Sequence, residues 1–365
     1  MIEVAVTGFA ADLTAPHPAP PHPAPPHPAP PHPAAPHPAA PDGGRTDAEL
    51  LAPVVAAALE DSGLAPDQID VLGTASSEFL GGLVGGMMGA FDALPGWPPR
   101  PHSHLDGDGA FAFYETWIRL LAGEGRAALV CAFGRPSASD RRSVLELQLD
   151  PYTVAPLGPP LAALAALQAR ALIDSGRCRE ADLARIVAAR RPGTDPAELL
   201  GRPYVASPLR AADCSTVVSG AAAVVMVTGD LAGRARRVPA WIAGAAHRME
   251  RHYLGARDLT TSPSTAAVAA DLGLPGSDLD VLEIHAPFSH QELIVTEAIG
   301  ARRVGRVNPS GGALPADPLM VTGLIRVGMA AEAIMAGQAG RVVGHATNGP
   351  CLQHNLLVLL EAGGG

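Results

Sequence analysis

The sequence is poor in aromatic and in basic residues. Only 4% of its 365 residues are Phe, Trp or Tyr, and 26 Lys and Arg stand against 36 Asp and Glu, a formal net charge of −10. We expect no nucleic-acid partner, because phosphate binding requires clustered Lys and Arg. With so few large rings, small residues must fill the interior, which favours close packing of helices on sheets.

Cysteines are also few, and long apolar runs are missing. Cys131, Cys178, Cys214 and Cys351 lie far apart without CxxC spacing, which indicates reduced thiols. No apolar run reaches the ~18–20 residues that a membrane span needs. Met1 leads directly into IEVAVTGFA without a basic segment, so we expect no secretory signal. These features predict a cytoplasmic protein.

A repeat rich in proline and histidine interrupts the chain. From Ala15 to Pro41 the unit His-Pro-Ala-Pro-Pro recurs, with histidines every five residues from His17 to His37. Proline at this density favours polyproline II, so we expect an exposed, semi-rigid or disordered insert between the first strand and the first helix. A metal-binding or docking arm is one interpretation. A tolerated surface expansion is the other, and it is favoured because an extended segment scatters its side chains.

The rest of the chain alternates between strand and helix patterns. Strands are predicted at 2–8, 69–75, 127–133, 221–228, 240–246, 281–285, 341–346 and 356–361, and helices at 48–62, 109–122, 161–175, 264–272, 291–300 and 319–336. Such alternation indicates parallel sheets covered on both faces. The pattern restarts near Gly229–Pro239, which predicts two similar halves, residues 1–232 and 233–365.

The segment Val307–Arg326, VNPSGGALPADPLMVTGLIR, resembles the C-terminal signature of thiolases, in which a histidine precedes the proline; here Asp317 precedes Pro318. Three further segments occur in the family's order: Ser207–Val227, Leu282–Gly300 with HAPF, and His345–Asn355 at the family's Cys-x-Gly turn. Ser219-Gly220-Ala221-Ala222 stands where Asp-Gly-Ala-Ala is common. The chain resembles the sterol-carrier-protein-x and lipid-transfer-protein branch. The resemblance implies an α/β fold, a five-layered αβαβα sandwich of two duplicated halves.

The resemblance also shows which chemistry is altered. Thiolases carry a nucleophilic Cys in a Cys-x-Ser-Gly motif at a helix N-terminus, and here Asp106-Gly107-Asp108-Gly109 takes its place. Asp106, at the position of the nucleophile, cannot form a thioester. The helix N-terminus beyond Gly109 could still bind an oxyanion. Alternatively, Asp106 or Asp108 only caps the helix.

Two further residues take family positions. His285 replaces the Asn or His that helps form an oxyanion hole, and at a strand end it could polarise a carbonyl or move a proton. Asp317, expected in an apolar pocket with a raised pKa, could act as general acid or base. Asn308, Gly311 and Gly312 are expected to hold the turn before it.

Cys351 and His354 could form a Cys–His dyad, although counting back from Glu361 places the family's second Cys at Gly349. We therefore predict catalytic roles for a group that comprises His285, Asp317, Cys351, His354, His345 and Asp106. The predicted substrate-binding group comprises Asp108, Gly109, Asn308, Gly311, Gly312 and Tyr253. No metal ligands are predicted.

Three functions remain open. The first is a retro-aldolase that cleaves a β-hydroxyacyl thioester without a Cys nucleophile. The second is an acyltransferase or Claisen-type enzyme that uses Cys351, and the third is a non-catalytic subunit that scaffolds a partner. The resemblance implies a coenzyme A or acyl-carrier-protein thioester as substrate with no covalently bound cofactor. It also implies a homodimer, with a zinc-binding OB-fold protein of the DUF35 type as a possible partner.

Overall fold

The computed structural model describes residues 2–13, 45–81, 86–96, 98–136 and 141–363. The His-Pro-Ala-Pro-Pro repeat lies outside these residues. The strands are Val4–Leu13 (β1), Val71–Ser76 (β2), His102–Asp106 (β3), Ala127–Gly134 (β4), Tyr204–Ala206 (β5), Leu209–Arg210 (β6), Gly220–Thr228 (β7), Ala240–Met249 (β8), Asp278–Ile284 (β9), Arg303–Val307 (β10), Arg341–Asn348 (β11) and His354–Glu361 (β12).

The helices are Asp47–Ser62 (α1), Glu78–Gly81 (α2), Gly86–Ala90 (α3), Gly109–Leu121 (α4), Arg141–Glu146 (α5), Leu161–Asp174 (α6), Glu180–Arg190 (α7), Pro196–Leu200 (α8), Gly229–Ala232 (α9), Pro263–Asp271 (α10), Ser289–Ile299 (α11) and Thr322–Met335 (α12). Among the described residues, no helix is both long enough and apolar enough to cross a membrane.

The strand order repeats between the two halves of the chain. The large sheet runs β10-β9-β11-β12-β8-β1-β7-β4-β2-β3. Read outward from the centre, β1-β7-β4-β2-β3 and β8-β12-β11-β9-β10 have the same sequence of antiparallel and parallel pairings. The repeat restarts after α9. Because the two halves share one sheet, the predicted domain boundary between residues 232 and 233 stays a prediction.

The sheet is mixed, so the expectation of parallel sheets is wrong for its central strands. β1, β7, β8 and β12 pair antiparallel with their neighbours, and the parallel pairs lie toward the two edges. The connection from β11 to β12 covers only residues 349–353, and a connection this short joins antiparallel strands. The alternation of strands and helices carries no information about this hairpin.

The two halves of the sheet, joined by the short β1–β8 pairing at Ala5–Trp241 and Val6–Ala240, form the two β layers of a five-layered arrangement. The helices α4 and α12 lie in the middle and share a core with inward-facing residues of both halves, such as Val130 and Val358. On the outside of the first half, α1 packs against β1, β4 and β7. Residues of α10 and α11 cover the outer face of the second half. This arrangement places the N-termini of α4 and α12 in the centre of the molecule.

Local signals explain which elements could be predicted. The helix α1 begins at a capping box of Thr46 and Glu49 and ends at Gly63 with φ 77°, as helix caps require. The strands β3 and β10 and the helix α7 were not predicted. Both strands lie at the edges of the sheet and carry polar side chains, so they lack the apolar run of a central strand.

Candidate functional site

Three predicted residues from distant parts of the chain meet at one point. Asp108 follows β3, His285 follows β9, and Asp317 lies between β10 and α12. The Nδ1 atom of His285 lies 4.0 Å from an Asp108 carboxylate oxygen, and its Nε2 atom lies 3.7 Å from an Asp317 oxygen. The imidazole therefore stands between two carboxylates at the carboxyl ends of parallel strands, where α/β folds commonly bind ligands.

His285 is buried without a hydrogen-bond partner for its ring. Its exposed fraction is 6%, and neither ring nitrogen has a hydrogen-bond partner among the described residues. The backbone N–H of His285 donates to the carbonyl of His345 at 3.2 Å, which continues the pairing of β9 with β11. Buried polar atoms are normally satisfied, so this imidazole has hydrogen-bonding capacity that the described residues leave unused.

Asp317 lies in a polar environment. Its two carboxylate oxygens accept hydrogen bonds from the hydroxyls of Ser215 at 2.7 Å and Thr322 at 2.6 Å. Burial raises the pKa of Asp317, but His285 and the two hydroxyls outweigh burial and hold the pKa below its ordinary value. The expected apolar pocket and raised pKa are therefore wrong, and Asp317 is held as a carboxylate.

Asp108 is shifted in the opposite direction. It is 2% exposed, and burial raises its pKa although His285 and two backbone N–H groups oppose the shift. Its oxygens accept from the N–H of Ala110 at 2.8 Å and of Gly323 at 2.8 Å. Asp108 thus caps α4, and its side chain occupies the N-terminus of this helix. Carboxyl groups whose pKa values are pushed apart are typical of acid–base sites.

Asp106 does not join this group. It is an exposed residue at the end of β3, and Asp108, two residues on, is the one beside His285. Gly109 begins α4, and its N–H donates to the carbonyl of Met320 at 2.8 Å. Tyr253 is 49% exposed in the connection between β8 and α10.

The proposed partners Cys351 and His354 make separate contacts. The Cys351 thiol lies 3.5 Å from the Leu164 carbonyl oxygen, to which it donates. The Nε2 atom of His354 lies 2.9 Å from Nδ1 of His247. Burial first, and His247 second, lower the pKa of His354 to about 4. Neither residue has the other as its hydrogen-bond partner.

The cysteine thiols are poorly suited to nucleophilic chemistry. Burial raises the pKa of Cys131 and Cys214 to about 12 and that of Cys178 and Cys351 to about 11. The thiolate is the reactive form, so at neutral pH each of these groups is almost wholly protonated. Cys351 is also buried in a small apolar cluster with Leu149 and Leu164.

His345 and the turn at Asn308 support the strand that carries His285. The Nε2 atom of His345 contacts the Asn355 amide oxygen at 3.1 Å, and burial lowers its pKa to about 3. The Asn308 side chain accepts from the N–H of Ile284 at 2.5 Å and donates to Glu292 at 2.7 Å.

The glycines after Asn308 hold the turn. Asn308, Gly311 and Gly312 have φ values of 45°, 99° and 68°, a region that glycine adopts readily. A Cβ at Gly312 would lie 2.8 Å from the Asn308 amide nitrogen.

Sequence reasoning missed three groups that complete the site. Ser215 and Thr322 orient Asp317, and the buried ion pair of Arg326 with Glu283, 2.9 Å long, lies beside them. Thr322 belongs to the Thr-Gly pair that opens α12, so the signature itself contained a signal for it. For Ser215 the sequence offers no signal, because its contact with Asp317 spans 102 positions.

A surface cavity of about 970 Å³ lies elsewhere, at the amino ends of β2 and β4. Its lining includes Glu3, Asp70, Arg100, Arg126 and Asp230. None of the predicted site residues lines it. The chemistry-bearing groups lie at the opposite ends of the strands, and we take their arrangement as the candidate site.

Comparison with known proteins bears first on the fold. No protein-family model matches the chain. The structure of an Ltp2–ChsH2(DUF35) aldolase superposes with a TM-score of 0.74 at 19% identity, covering 98% of this chain and 97% of that one. Human mitochondrial 3-ketoacyl-CoA thiolase in complex with CoA superposes with a TM-score of 0.73 at 15% identity, covering 100% of this chain and 98% of that one. The chain has a thiolase-like fold.

The sequence comparison is more limited. Acetyl-CoA acetyltransferase of Methanothermobacter thermautotrophicus is 29% identical in an alignment of 169 residues that covers 40% of this chain and 43% of that protein. The match thus spans less than half the length of the curated relative. It agrees with the thiolase-like fold predicted from the four motifs.

Proposed function

We propose that this thiolase-like protein is an enzyme that breaks, or in reverse makes, a C–C bond beside an acyl thioester carbonyl. The substrate would be a β-hydroxyacyl thioester, cleaved by a retro-aldol reaction. The observation that carries the proposal is the unpartnered imidazole of His285 between the carboxyl groups of Asp108 and Asp317.

In this proposal His285 moves the proton. Its imidazole accepts the proton of the substrate's β-hydroxyl while the Cα–Cβ bond breaks, which yields a free aldehyde or ketone and a thioester enolate. The Asp317 carboxylate stabilises the imidazolium that forms, and Ser215 and Thr322 hold that carboxylate in place. The imidazolium then protonates the enolate carbon, which yields the shortened acyl thioester and restores neutral His285.

Covalent routes find little support in this chain. The 365 residues contain no lysine, so no Schiff base can form between a carbonyl substrate and a side chain of this sequence. The raised pKa values of all four thiols disfavour a thioester on cysteine, including Cys351. Acyl transfer through Cys351 remains the second candidate because of the resemblance alone.

The proposal extends to substrate carrier and partners. A coenzyme A or acyl-carrier-protein thioester would be the substrate, and no covalently bound cofactor is needed for the steps above. The likeness to the Ltp2–ChsH2(DUF35) aldolase supports a DUF35-type OB-fold protein as partner. A homodimer and a cytoplasmic location are part of the same proposal. Only 6% of His285 is exposed, so substrate or partner must widen the approach to its ring.

The test is product analysis with a panel of thioesters. The protein, with and without a DUF35-type partner, is incubated with β-hydroxyacyl-CoAs and separately with β-ketoacyl-CoAs plus free coenzyme A. We expect a carbonyl product and a shortened acyl-CoA from the first set only. His285→Gln should abolish the cleavage. His252→Gln is the matched control, because His252 is exposed and lies 3.0 Å from the carbonyl oxygen of Gln148, away from the candidate site.

The alternatives give different results in the same experiment. Cys351→Ala should leave the cleavage intact, whereas an acyl mass on Cys351 and thiolysis of β-ketoacyl-CoA would establish acyl transfer instead. Absence of turnover of every thioester, with the partner present, would favour the scaffold function and end the proposal.

A further inference from the structure

The Asp108 carboxylate lies where the N-termini of the two central helices meet. One oxygen accepts from the N–H of Ala110 in α4, and the other accepts from the N–H of Gly323 in α12, both at 2.8 Å. Val321, the N-cap residue that precedes α12, supplies no capping side chain. Asp108 therefore caps its own helix and, across 215 positions of the chain, a second one.

Glycines bring the two helix ends this close. A Cβ at Gly323 would lie 2.2 Å from a carboxylate oxygen of Asp108 and 2.6 Å from Cβ of Ala346. A Cβ at Gly109 would lie 2.6 Å from Cβ of Ala132. The N-terminus of each helix carries partial positive charge from its free N–H groups. Two such ends at one buried point favour an anion more than either would alone.

His285 adds an independent observation at the same point. Its ring is buried, neither ring nitrogen has a hydrogen-bond partner in the part of the chain that the structure describes, and Nδ1 faces the Asp108 carboxylate at 4.0 Å. The surroundings of this carboxylate are thus two backbone donors and an imidazole with unused capacity. A planar group with two oxygens is what such donors recognise.

We propose that the N–H groups of Ala110 and Gly323, together with His285, form a binding site for a small carboxylate anion, and that the Asp108 side chain fills this site in the native protein. Removing the side chain would open the site to a free carboxylate such as acetate. This inference concerns binding in the resting protein, and it holds or fails independently of the proposed cleavage reaction.

The test is anion-dependent stability of Asp108→Ala. Thermal unfolding is followed at neutral pH with increasing sodium acetate, and sodium chloride keeps the ionic strength constant. A ligand that binds only the folded state raises Tm saturably. We expect the variant to have a lower Tm than the native protein and to recover part of the difference with acetate, whereas the native protein shows no acetate-specific change.

Asp195→Ala is the matched control. Asp195 also caps a helix, α8, by accepting the N–H of Ala197 at 2.9 Å, but it does so alone and at the surface. Its loss should lower Tm without a specific acetate response. An Asp108→Ala protein without a saturable acetate response, or with one no larger than that of Asp195→Ala, overturns the proposal.

If Asp108→Ala does not fold, Asp108→Ser serves instead. The serine hydroxyl can still cap α4 through Ala110 but leaves the N–H of Gly323 without an acceptor. The same saturable rise in Tm with acetate is expected, and its absence would equally overturn the proposal.

Discussion

Two fully buried histidines predict how stability depends on pH. Burial lowers the pKa of His290 and of His345 to about 3, whereas an unfolded histidine titrates near 6.5. Both are therefore neutral in the folded protein and take up a proton only on unfolding. Their contribution is fully present above about pH 6.5 and is lost as the pH falls below that value.

The size of the effect follows from the unfolded pKa. For one such histidine the free energy of unfolding falls by RT ln(1 + 10^(6.5−pH)), which is about 0.1 kcal/mol at pH 7.5 and about 1.4 kcal/mol at pH 5.5. The two residues together should therefore cost the protein roughly 2.7 kcal/mol between these pH values. This figure does not depend on the exact folded pKa, provided that it stays well below the assay range.

Urea unfolding followed by circular dichroism at several pH values provides the assay. His345→Gln removes one of the two groups but keeps an amide donor for Asn355, with which His345 pairs at 3.1 Å. Between pH 7.5 and 5.5 we expect the free energy of unfolding of this variant to fall by about 1.3 kcal/mol less than that of the native protein. His252→Gln, at an exposed histidine, should keep the native profile. A His345→Gln protein whose stability falls with pH as steeply as that of the native protein would refute the reasoning.

Three further predictions concern the site and its supports. Asp317→Asn removes a charge 3.7 Å from the His285 ring, and that charge stabilises an imidazolium by on the order of 4 kcal/mol at an effective dielectric constant of about 20. We therefore expect kcat/KM for the proposed cleavage to fall roughly 100- to 1,000-fold. An unchanged rate would exclude a charge-stabilising role. Gly323→Ala places a Cβ 2.2 Å from Asp108 and should lower the free energy of unfolding by about 1–3 kcal/mol. The control Gly233→Ala should not lower it, because Gly233 has φ −64° and open space around it. Equal effects of the two substitutions in urea unfolding would contradict the packing argument. Arg326→Met leaves the Glu283 carboxylate buried without its cation, so the free energy of unfolding in the same assay should fall by about 3–5 kcal/mol. A fall below about 1 kcal/mol would show that the ion pair is dispensable.

The sequence predicted the layout of the fold because that information is local. Apolar runs and caps identified most helices and central strands, as at α1 and β7. The four motifs, taken in order, indicated the thiolase-like fold that the structural comparisons confirm. The edge strands β3 and β10 could not be predicted, because their polar residues give no distinctive hydrophobic period.

The candidate site was only partly predictable. The sequence singles out His285, Asp317 and Asp108; the match to the family motif places Asp106 at the nucleophile's position, and an apolar environment is expected for Asp317. Burial separates Asp108 from Asp106, and Ser215, 102 positions away, makes the environment of Asp317 polar. Of the hydroxyl contacts to Asp317, only that of Thr322, five residues after Asp317, lies within a sequence window.

The sequence by itself determined the duplicated α/β layout, the helix caps and the absence of a cysteine from the Asp106–Gly109 turn. Only the tertiary structure decided that Asp108 caps two helices, that His285 stands between two carboxyl groups, and that those groups have pKa values shifted in opposite directions. The physical reason is range. Periodicity and capping act over a few residues, whereas burial, desolvation and charge pairing depend on groups that the fold brings together from separate parts of the chain, such as Asp108 and Gly323, 215 positions apart.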